Sequence, residues 1–171
     1  MGAPAMTRSV NIHATCVRLG RAGAAFGAPP DAGVLLLGKS GAGKSDLALR
    51  LIALGATLVA DDRTELCLWR RILYARPPAR LAGLIEVRGV GILKLRHAPR
   101  VRVALAVELG RDAARLPEHR RYRPPAALAL PAAAAPPLVR IAPFEAAAPA
   151  KIVAATAAYA LGLYRDTINH T

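Results

Sequence analysis

The sequence is poor in aromatic residues and in cysteines. Aromatic side chains make up 4% of the 171 residues, and Cys16 and Cys67 are the two cysteines. Few aromatic residues argue against a broad surface on which nucleic-acid bases stack. Two cysteines are too few for a disulfide framework, and they lack the CxxC spacing of a zinc site. The cysteine content therefore favours a reduced, cytoplasmic protein.

Long apolar runs are also missing. Residues 1–10 contain no segment of signal-peptide length, and no stretch reaches the ~18 uninterrupted apolar residues of a membrane span. We therefore expect an unprocessed protein with no membrane partner. The apolar fraction of 54% still supports a buried core, and we expect a single domain over residues 1–171.

Acidic residues are scarce relative to basic ones. The chain has 24 Lys and Arg against 11 Asp and Glu, which gives a formal charge of +13. This excess fits an anionic partner such as a nucleotide or a nucleic acid, and it fits equally well a genome that favours arginine codons. The arginines are scattered, with one dense stretch at 111–123, so charge alone does not decide between these interpretations.

The first half of the chain predicts strands on both sides of one helix. Residues 11–19 alternate as in a strand, residues 20–33 are a Gly- and Pro-rich loop, and residues 34–37 are a short apolar strand. Leucines at helical spacing predict a helix over 44–54, and an apolar strand follows at 57–60. This order is typical of an α/β protein.

The second half predicts more strands than helices. Residues 65–73, 85–95 and 101–109 are expected to be strands, residues 126–137 a connecting loop, and residues 151–163 a packed helix. Consecutive strands without helices between them argue against a purely parallel sheet. The expected fold class is therefore α/β, with a mixed sheet and a C-terminal helix.

The strongest motif is a glycine-rich loop between the second strand and the first helix. It has the form G-x-x-x-x-G-K-S and comprises Gly38, Lys39, Ser40, Gly41, Ala42, Gly43, Lys44 and Ser45. Its backbone N–H groups and the positive end of the helix favour phosphate oxygens, and Lys44 adds a full charge. The hydroxyl of Ser45 is suited to Mg²⁺. The motif predicts a P-loop that binds the phosphates of a nucleotide.

Two acidic segments follow this loop. Asp61 and Asp62 end the strand after the helix, where carboxylates can reach a nucleotide-bound metal, and alternation along a strand would point them in opposite directions. A solvated turn is the alternative. Glu86 and Arg88 share one face of a later strand, and they fit either a metal ligand beside a phosphate contact or a surface pair on an edge strand.

Together the three segments resemble the catalytic, C-terminal domain of HPr kinase/phosphorylase, a bacterial enzyme that phosphorylates a serine of the phosphocarrier protein HPr. The matching stretches are Gly-Lys-Ser-Gly-Ala-Gly-Lys-Ser (38–45), Leu-Val-Ala-Asp-Asp (58–62) and Leu-Ile-Glu-Val-Arg-Gly-Val-Gly-Ile (84–92). The resemblance implies a P-loop kinase domain with the phosphoenolpyruvate carboxykinase-like fold, which uses ATP and Mg²⁺. It also implies a cytoplasmic homo-oligomer, a hexamer in the family, that acts in the phosphotransferase system.

The resemblance further implies a role for each matching residue. The implied catalytic residues are Asp62 as the base, Lys44 on the transferred phosphate, His13 and Arg115, and the implied Mg²⁺ ligands are Ser45, Glu86 and Asp61. Arg111 is an alternative to Arg115. The division of labour between Asp61 and Asp62 is also open, because geometry alone does not choose between adjacent acids.

The sequence departs from the family at both ends. Full-length members carry an additional N-terminal regulatory domain, so the chain is expected to match the short form found in alphaproteobacteria. Residues 143–151 replace the Pro-Gly-Arg-Asn type loop that is tied to dephosphorylation in the family. The resemblance therefore implies a kinase, and it leaves dephosphorylation of HPr open.

Two other functions stay open on the residues alone. A small-molecule P-loop kinase would use the arginines at 111–123 as a lid. A nucleotide- or nucleic-acid-binding module without catalysis would explain the basic charge, and it would show salt-steep binding to DNA. The family resemblance implies no nucleic-acid partner, so phosphotransfer to an HPr-type protein separates these functions.

Overall fold

The computed structural model describes residues 8–111 and 115–164, which contain ten strands and two α-helices. The strands are β1 Ser9–Arg18, β2 Ala32–Leu37, β3 Thr57–Ala60, β4 Arg63–Trp69, β5 Ile72–Arg76, β6 Leu84–Val87, β7 Gly91–Lys94, β8 Val101–Leu109, β9 Arg120–Arg121 and β10 Pro137–Ile141. The helices are α1 Lys44–Ala53 and α2 Ala148–Leu161. The expected α/β class with a mixed sheet and a C-terminal helix is confirmed.

Eight of the described strands form one mixed sheet in the order β2-β1-β4-β5-β8-β10-β9, with β3 paired to β1. Strand β8 also pairs with β2, so the path of strands returns on itself. The β2–β8 and β8–β10 pairs are parallel, whereas the pairs that β1 makes with β2, β3 and β4 are antiparallel. Strands β6 and β7 form a separate hairpin.

The parallel part of the sheet determines where the loops meet. Strands β2, β8 and β10 run in the same direction, so their carboxyl ends lie at one edge. The carboxyl ends of parallel strands are a common place for ligands to bind in α/β proteins. The glycine-rich loop at 38–43 follows β2 there, and the segment 142–147 follows β10. The fold therefore places these two segments side by side.

The apolar core consists of two clusters that take alternate residues of the sheet. Val34 and Leu36 pack in the cluster that includes Leu51 of α1 and Ile152 of α2, whereas Leu35 packs in the second cluster. All five side chains are fully buried. Because successive side chains of a strand point to opposite faces, the uninterrupted apolar run in β2 fills both clusters. This fixes the strand that carries the glycine-rich loop.

Four predicted elements differ from the structure. The strand predicted over 65–73 is two strands, β4 and β5, joined at Arg70 and Arg71, which both have positive φ (48° and 66°). A two-residue hairpin turn of this type usually carries Asn-Gly, so an Arg-Arg pair gives no sequence signal. Likewise, Gly20–Phe26 is a 3₁₀ helix rather than a loop, and α2 begins at Ala148, before its predicted start. Strands β9 and β10 were not predicted. The segment 85–95, where Gly89 and Gly91 indicate a bend or a close backbone approach, is two strands, β6 and β7, separated at residues 88–90.

None of the helices in the described parts of the chain is long and apolar enough to cross a membrane. The two cysteines are free thiols, Cys16 in β1 and Cys67 in β4, and both are buried.

The buried thiol of Cys16 makes stability depend on alkaline pH. Burial raises the pKa of Cys16 above its ordinary value of 9.0. Above that pH the unfolded chain loses the proton while the folded chain keeps it, so the free energy of unfolding should fall by about 1.4 kcal/mol per pH unit for this thiol. Urea unfolding at about pH 8 and about pH 10 measures the slope. The Cys16→Ala variant should lose less stability over this range, and an unchanged slope would contradict the assignment.

Candidate active site

The glycine-rich loop has the backbone shape of a phosphate cradle. Gly41 and Gly43 adopt positive φ angles of 78° and 92°, a region that residues with a Cβ rarely occupy. Helix α1 then begins at Lys44, and its first backbone bond runs from the Leu47 N–H to the Gly43 carbonyl. The first N–H groups of a helix have no partner within the helix, and such groups stabilise an anion.

Lys44 lies inside this cradle. Its side chain is buried, and its ammonium group donates hydrogen bonds to the carbonyls of Gly38 (2.7 Å) and Lys39 (3.0 Å). Burial lowers the pKa of Lys44, and the nearby charges of Asp62 and Asp61 oppose this change. The cation is thus held between the loop and the two acids, with less water around it than a surface lysine has.

Asp61 is the best-connected acid of the site. Its Oδ1 accepts hydrogen bonds from the hydroxyls of Ser45 (2.7 Å) and Thr15 (2.8 Å), and its Oδ2 accepts one from the backbone N–H of Glu86 (3.1 Å). The residue is only 6% exposed. This carboxylate therefore connects the P-loop helix, strand β1 and the β6–β7 hairpin.

Asp62 has a different environment from its neighbour. Its side chain is 67% exposed, and its Oδ1 lies 3.0 Å from Nε2 of His13. Its φ of 60° is uncommon for a residue with a side chain, although Asp tolerates it better than most. The backbone is held on both sides, by a bond from its N–H to the Thr15 hydroxyl (3.4 Å) and one from the Ala14 N–H to its carbonyl (3.2 Å). Asp61 and Asp62 do diverge as predicted, but they do so because the chain turns after β3.

The acids and the P-loop share one cleft of about 470 Å³. Glu86 at the end of β6 and Arg88 in the turn that follows line its rim, and both are exposed. The predicted arrangement of these two residues on one strand face is only partly realised, because β6 ends at Val87. Even so, both side chains reach the same cleft.

Most of the predicted site residues line this cleft, and four do not: Gly38, Lys39, Ala42 and Arg115. The lining includes His13, Ser40, Gly41, Gly43, Lys44, Ser45, Asp61, Asp62 and Glu86. Gly38 and Lys39 contribute carbonyls to Lys44, and Ala42 packs against the core. Arg115 and its alternative Arg111 are exposed and lie outside the lining, on either side of residues 112–114, which are outside the described parts.

Three residues of the site were missed by sequence reasoning. Thr15 is fully buried and contacts both adjacent acids. Phe144 lines the cleft, and Arg50 of α1 donates to the carbonyl of Pro143 beside it. Thr15 lies two residues after His13 on β1, which places both on one face of the strand, and this spacing is the one signal that the sequence offered.

The oxygen atoms of the cleft fit a magnesium ion. Asp61 and Ser45 are joined by a hydrogen bond, and Glu86 adds a second carboxylate on the rim. No group of three or more His, Cys, Asp or Glu side chains within residues 8–111 and 115–164 is arranged to hold a metal alone. Mg²⁺ does not require such a group, since it usually keeps several waters and takes its remaining ligands from one or two carboxylates and substrate phosphates.

The chain is similar in sequence to known proteins over part of its length. Residues 27–109 match the family model described as the HPr Serine kinase C-terminal domain. The HPr kinase/phosphorylase of Aromatoleum aromaticum is 45% identical over 102 residues, which cover 52% of this chain and 33% of that protein. The HPr kinase/phosphorylase of Neisseria meningitidis is 50% identical over 66 residues, which cover 38% of this chain and 21% of that protein. The chain thus spans about a third or less of these relatives.

A solved structure shares the fold. The Hpr(Ser) kinase/phosphatase from Coxiella burnetii superposes with a TM-score of 0.68 at 21% identity, and the match covers 90% of this chain and 98% of that one. The two chains therefore share an α/β fold with a mixed sheet.

Proposed function

We propose that this chain, whose residues 27–109 match the family model described as the HPr Serine kinase C-terminal domain, is an ATP-dependent kinase that phosphorylates a serine of an HPr-type protein. The observation that carries the proposal is the unequal environment of two adjacent acids beside a P-loop. Asp61 is buried and bonded to Ser45, whereas Asp62 is exposed and bonded to His13. One acid is thus placed to organise the phosphate side, and the other to meet an acceptor.

The phosphate side of the cleft consists of the cradle and Lys44. The backbone N–H groups of the loop bind phosphate oxygens, and the ammonium group of Lys44 neutralises charge on the transferred phosphoryl group. Ser45, Asp61 and Glu86 would hold Mg²⁺, which supplies further neutralisation of the phosphate charge when bound. Positioning and charge neutralisation account for most of the catalysis in phosphoryl transfer.

The acceptor side consists of Asp62 and His13. The carboxylate of Asp62 accepts the proton of the incoming serine hydroxyl as the serine oxygen attacks the γ-phosphorus atom of ATP. The bond from that phosphorus atom to the β–γ bridging oxygen breaks, and ADP leaves. Since Oδ1 of Asp62 already contacts His13, the second oxygen, Oδ2, is the one presented to the acceptor. His13 orients the carboxylate through this contact. Arg115 stays a proposal from family resemblance, because it lies outside the cleft lining.

Transfer of labelled phosphate to HPr tests the proposed reaction. The purified chain is incubated with γ-labelled ATP, Mg²⁺ and an HPr-type protein, and the modified residue is mapped by mass spectrometry. We expect label on one serine of HPr and none on a variant with that serine replaced by alanine. If a small metabolite became labelled and HPr did not, the chain would be a small-molecule kinase. If no phosphate were transferred and the chain bound DNA with an affinity that falls steeply with salt, it would be a binding module.

We also propose that the chain acts in the cytoplasm as a homo-oligomer, a hexamer by family resemblance. Several large apolar side chains are exposed, among them Val90 (69%) and Ile92 (71%) on the β6–β7 hairpin, which supports a protein contact near the cleft. Light scattering coupled to gel filtration measures the assembly. A mass of one chain at all concentrations would contradict it.

A further inference from the structure

Phe144 occupies an unusual position for one of the few aromatic residues of the chain. It is 72% exposed, although it lies in the cleft with Lys44 and the two acids. The ring packs directly on the P-loop, since a Cβ added to Gly43 would lie 2.9 Å from its Cζ atom. An exposed apolar ring at the edge of a polar phosphate cradle is not explained by core packing, because most of its surface is exposed.

The backbone beside Phe144 is held in place from the P-loop helix. The guanidinium group of Arg50 in α1 donates to the carbonyls of Pro143 (2.7 Å), Glu145 (2.7 Å) and Ala146 (3.3 Å). A planar guanidinium with several donors can hold three carbonyls in one geometry. The ring is therefore presented on a braced segment, tied to the same helix that begins at Lys44.

The topology gives this segment a reason to meet a nucleoside. It follows β10, whose carboxyl end lies at the same edge of the sheet as the ends of β2 and β8. Once phosphates occupy the cradle that follows β2, the rest of a nucleotide must leave the loop along this edge. An exposed aromatic face adjoining the cradle suits the flat surface of a base, because aromatic rings stack on bases without requiring a particular sequence or hydrogen-bond pattern.

We propose that Phe144 is the stacking surface for the base of the nucleotide, and that Arg50 is a positioning residue that holds it there. This inference rests on the proposed function, in that it takes a nucleotide as the phosphoryl donor. The single ring adds affinity for the nucleoside part of the ligand and contributes nothing to recognition of its phosphates.

Paired titrations with ATP and inorganic tripolyphosphate test this assignment. Both ligands are titrated with Mg²⁺ by calorimetry, using the wild-type chain and the Phe144→Ala variant. We expect the variant to bind ATP roughly 5–150-fold more weakly, as loss of one base–aromatic stack would predict, and to bind tripolyphosphate within about twofold of wild type. Phe144→Tyr should restore ATP binding. Phe26→Ala, which removes the other phenylalanine at an exposed site away from the cleft, should leave both affinities unchanged.

A spectroscopic variant gives a second readout. Phe144→Trp should show a change in indole emission on addition of ATP and none on addition of tripolyphosphate, measured against the wild-type signal of Trp69. Arg50→Ala should weaken ATP binding in the same direction as Phe144→Ala, and adding it to Phe144→Ala should have little further effect on affinity.

Three results would overturn the assignment. These are an equal loss of affinity for both ligands in Phe144→Ala, an unchanged affinity for ATP, and a wild-type chain that binds ATP no more tightly than tripolyphosphate. The labelled-phosphate assay on HPr is scored separately. A chain that binds ATP through Phe144 but transfers no phosphate to HPr would refute the proposed kinase function and leave the stacking role intact.

Discussion

Replacing Asp62 by asparagine should reduce phosphotransfer to HPr by about 10²–10⁴-fold, the usual contribution of a positioned general base. The amide keeps the size of the side chain and can still contact His13, but it cannot accept the proton of the serine hydroxyl. Because Asp62 lies at the surface of the cleft, the substitution removes no core contact. Initial rates with saturating ATP and HPr measure the effect, which should appear in kcat.

The control for Asp62→Asn is the same chemical change at an acid outside the cleft. Asp31 is exposed and lies outside the cleft lining, so Asp31→Asn should keep the wild-type rate. Calorimetry should show that Asp62→Asn still binds ATP with Mg²⁺, which separates loss of the base from loss of the nucleotide. If Asp62→Asn turned over at near the wild-type rate, the proton would have to go to another group, and the division of roles between the two acids would be wrong.

The phosphate cradle could be predicted from sequence because its signal is local. An apolar run, a spaced pair of glycines, Lys44 and a helical repeat of leucines are all contiguous. The strand, loop and helix of the structure lie within two residues of their predicted limits. Each of these features depends on backbone conformation or on contacts a few residues apart. The same holds for β3, which ends immediately before Asp61.

The connections between distant strands could not be predicted in this way. Thr15 and Asp61 are 46 residues apart and meet because β1 pairs with β3, a register that no local pattern encodes. Arg50 and Pro143 are 93 residues apart and meet because β10 lies beside β8. The contribution of Phe144 was missed for the same reason, since the Ala-rich segment around it resembles an ordinary loop.

The turn at Asp62 shows how a correct prediction can rest on an incorrect reason. Strand alternation predicted that the adjacent acids would face apart, and they do, but the strand ends at Ala60 and Asp62 takes a left-handed conformation. Such a conformation costs on the order of 1–3 kcal/mol and persists when surrounding contacts hold it. Here the Thr15 hydroxyl and the Ala14 N–H supply those contacts. Thr15 therefore supports both acids, one through its carboxylate and the other through its backbone.

Replacing Lys44 by alanine should reduce phosphotransfer by about 10²–10³-fold, the effect of removing one preorganised donor from a site of developing charge. Lys44 is the buried cation of the cradle, and burial lowers its pKa, so it meets phosphate with little competing water. The same kinetic assay measures the loss, and calorimetry should show weaker binding of both ATP and tripolyphosphate. This pattern differs from Phe144→Ala, which should weaken ATP alone.

Lys39 provides the matched control for Lys44 within the same loop. Its side chain is exposed, and it contributes to the cradle only through its carbonyl, which accepts a hydrogen bond from Lys44 and is kept in Lys39→Ala. Lys39→Ala should therefore stay within a few-fold of the wild-type rate, although both variants lose one positive charge. If Lys39→Ala and Lys44→Ala lost the same amount of activity, the total positive charge of the loop would bind the phosphates. The position of the Lys44 ammonium group, held by the carbonyls of Gly38 and Lys39, would then not matter. Thermal unfolding checks that Lys44→Ala still folds. In this variant the carbonyls of Gly38 and Lys39 lose their donor and can bond to water instead, so we expect an unfolding midpoint close to that of the wild type. Such a midpoint would show that the loss of activity does not come from unfolding of the loop.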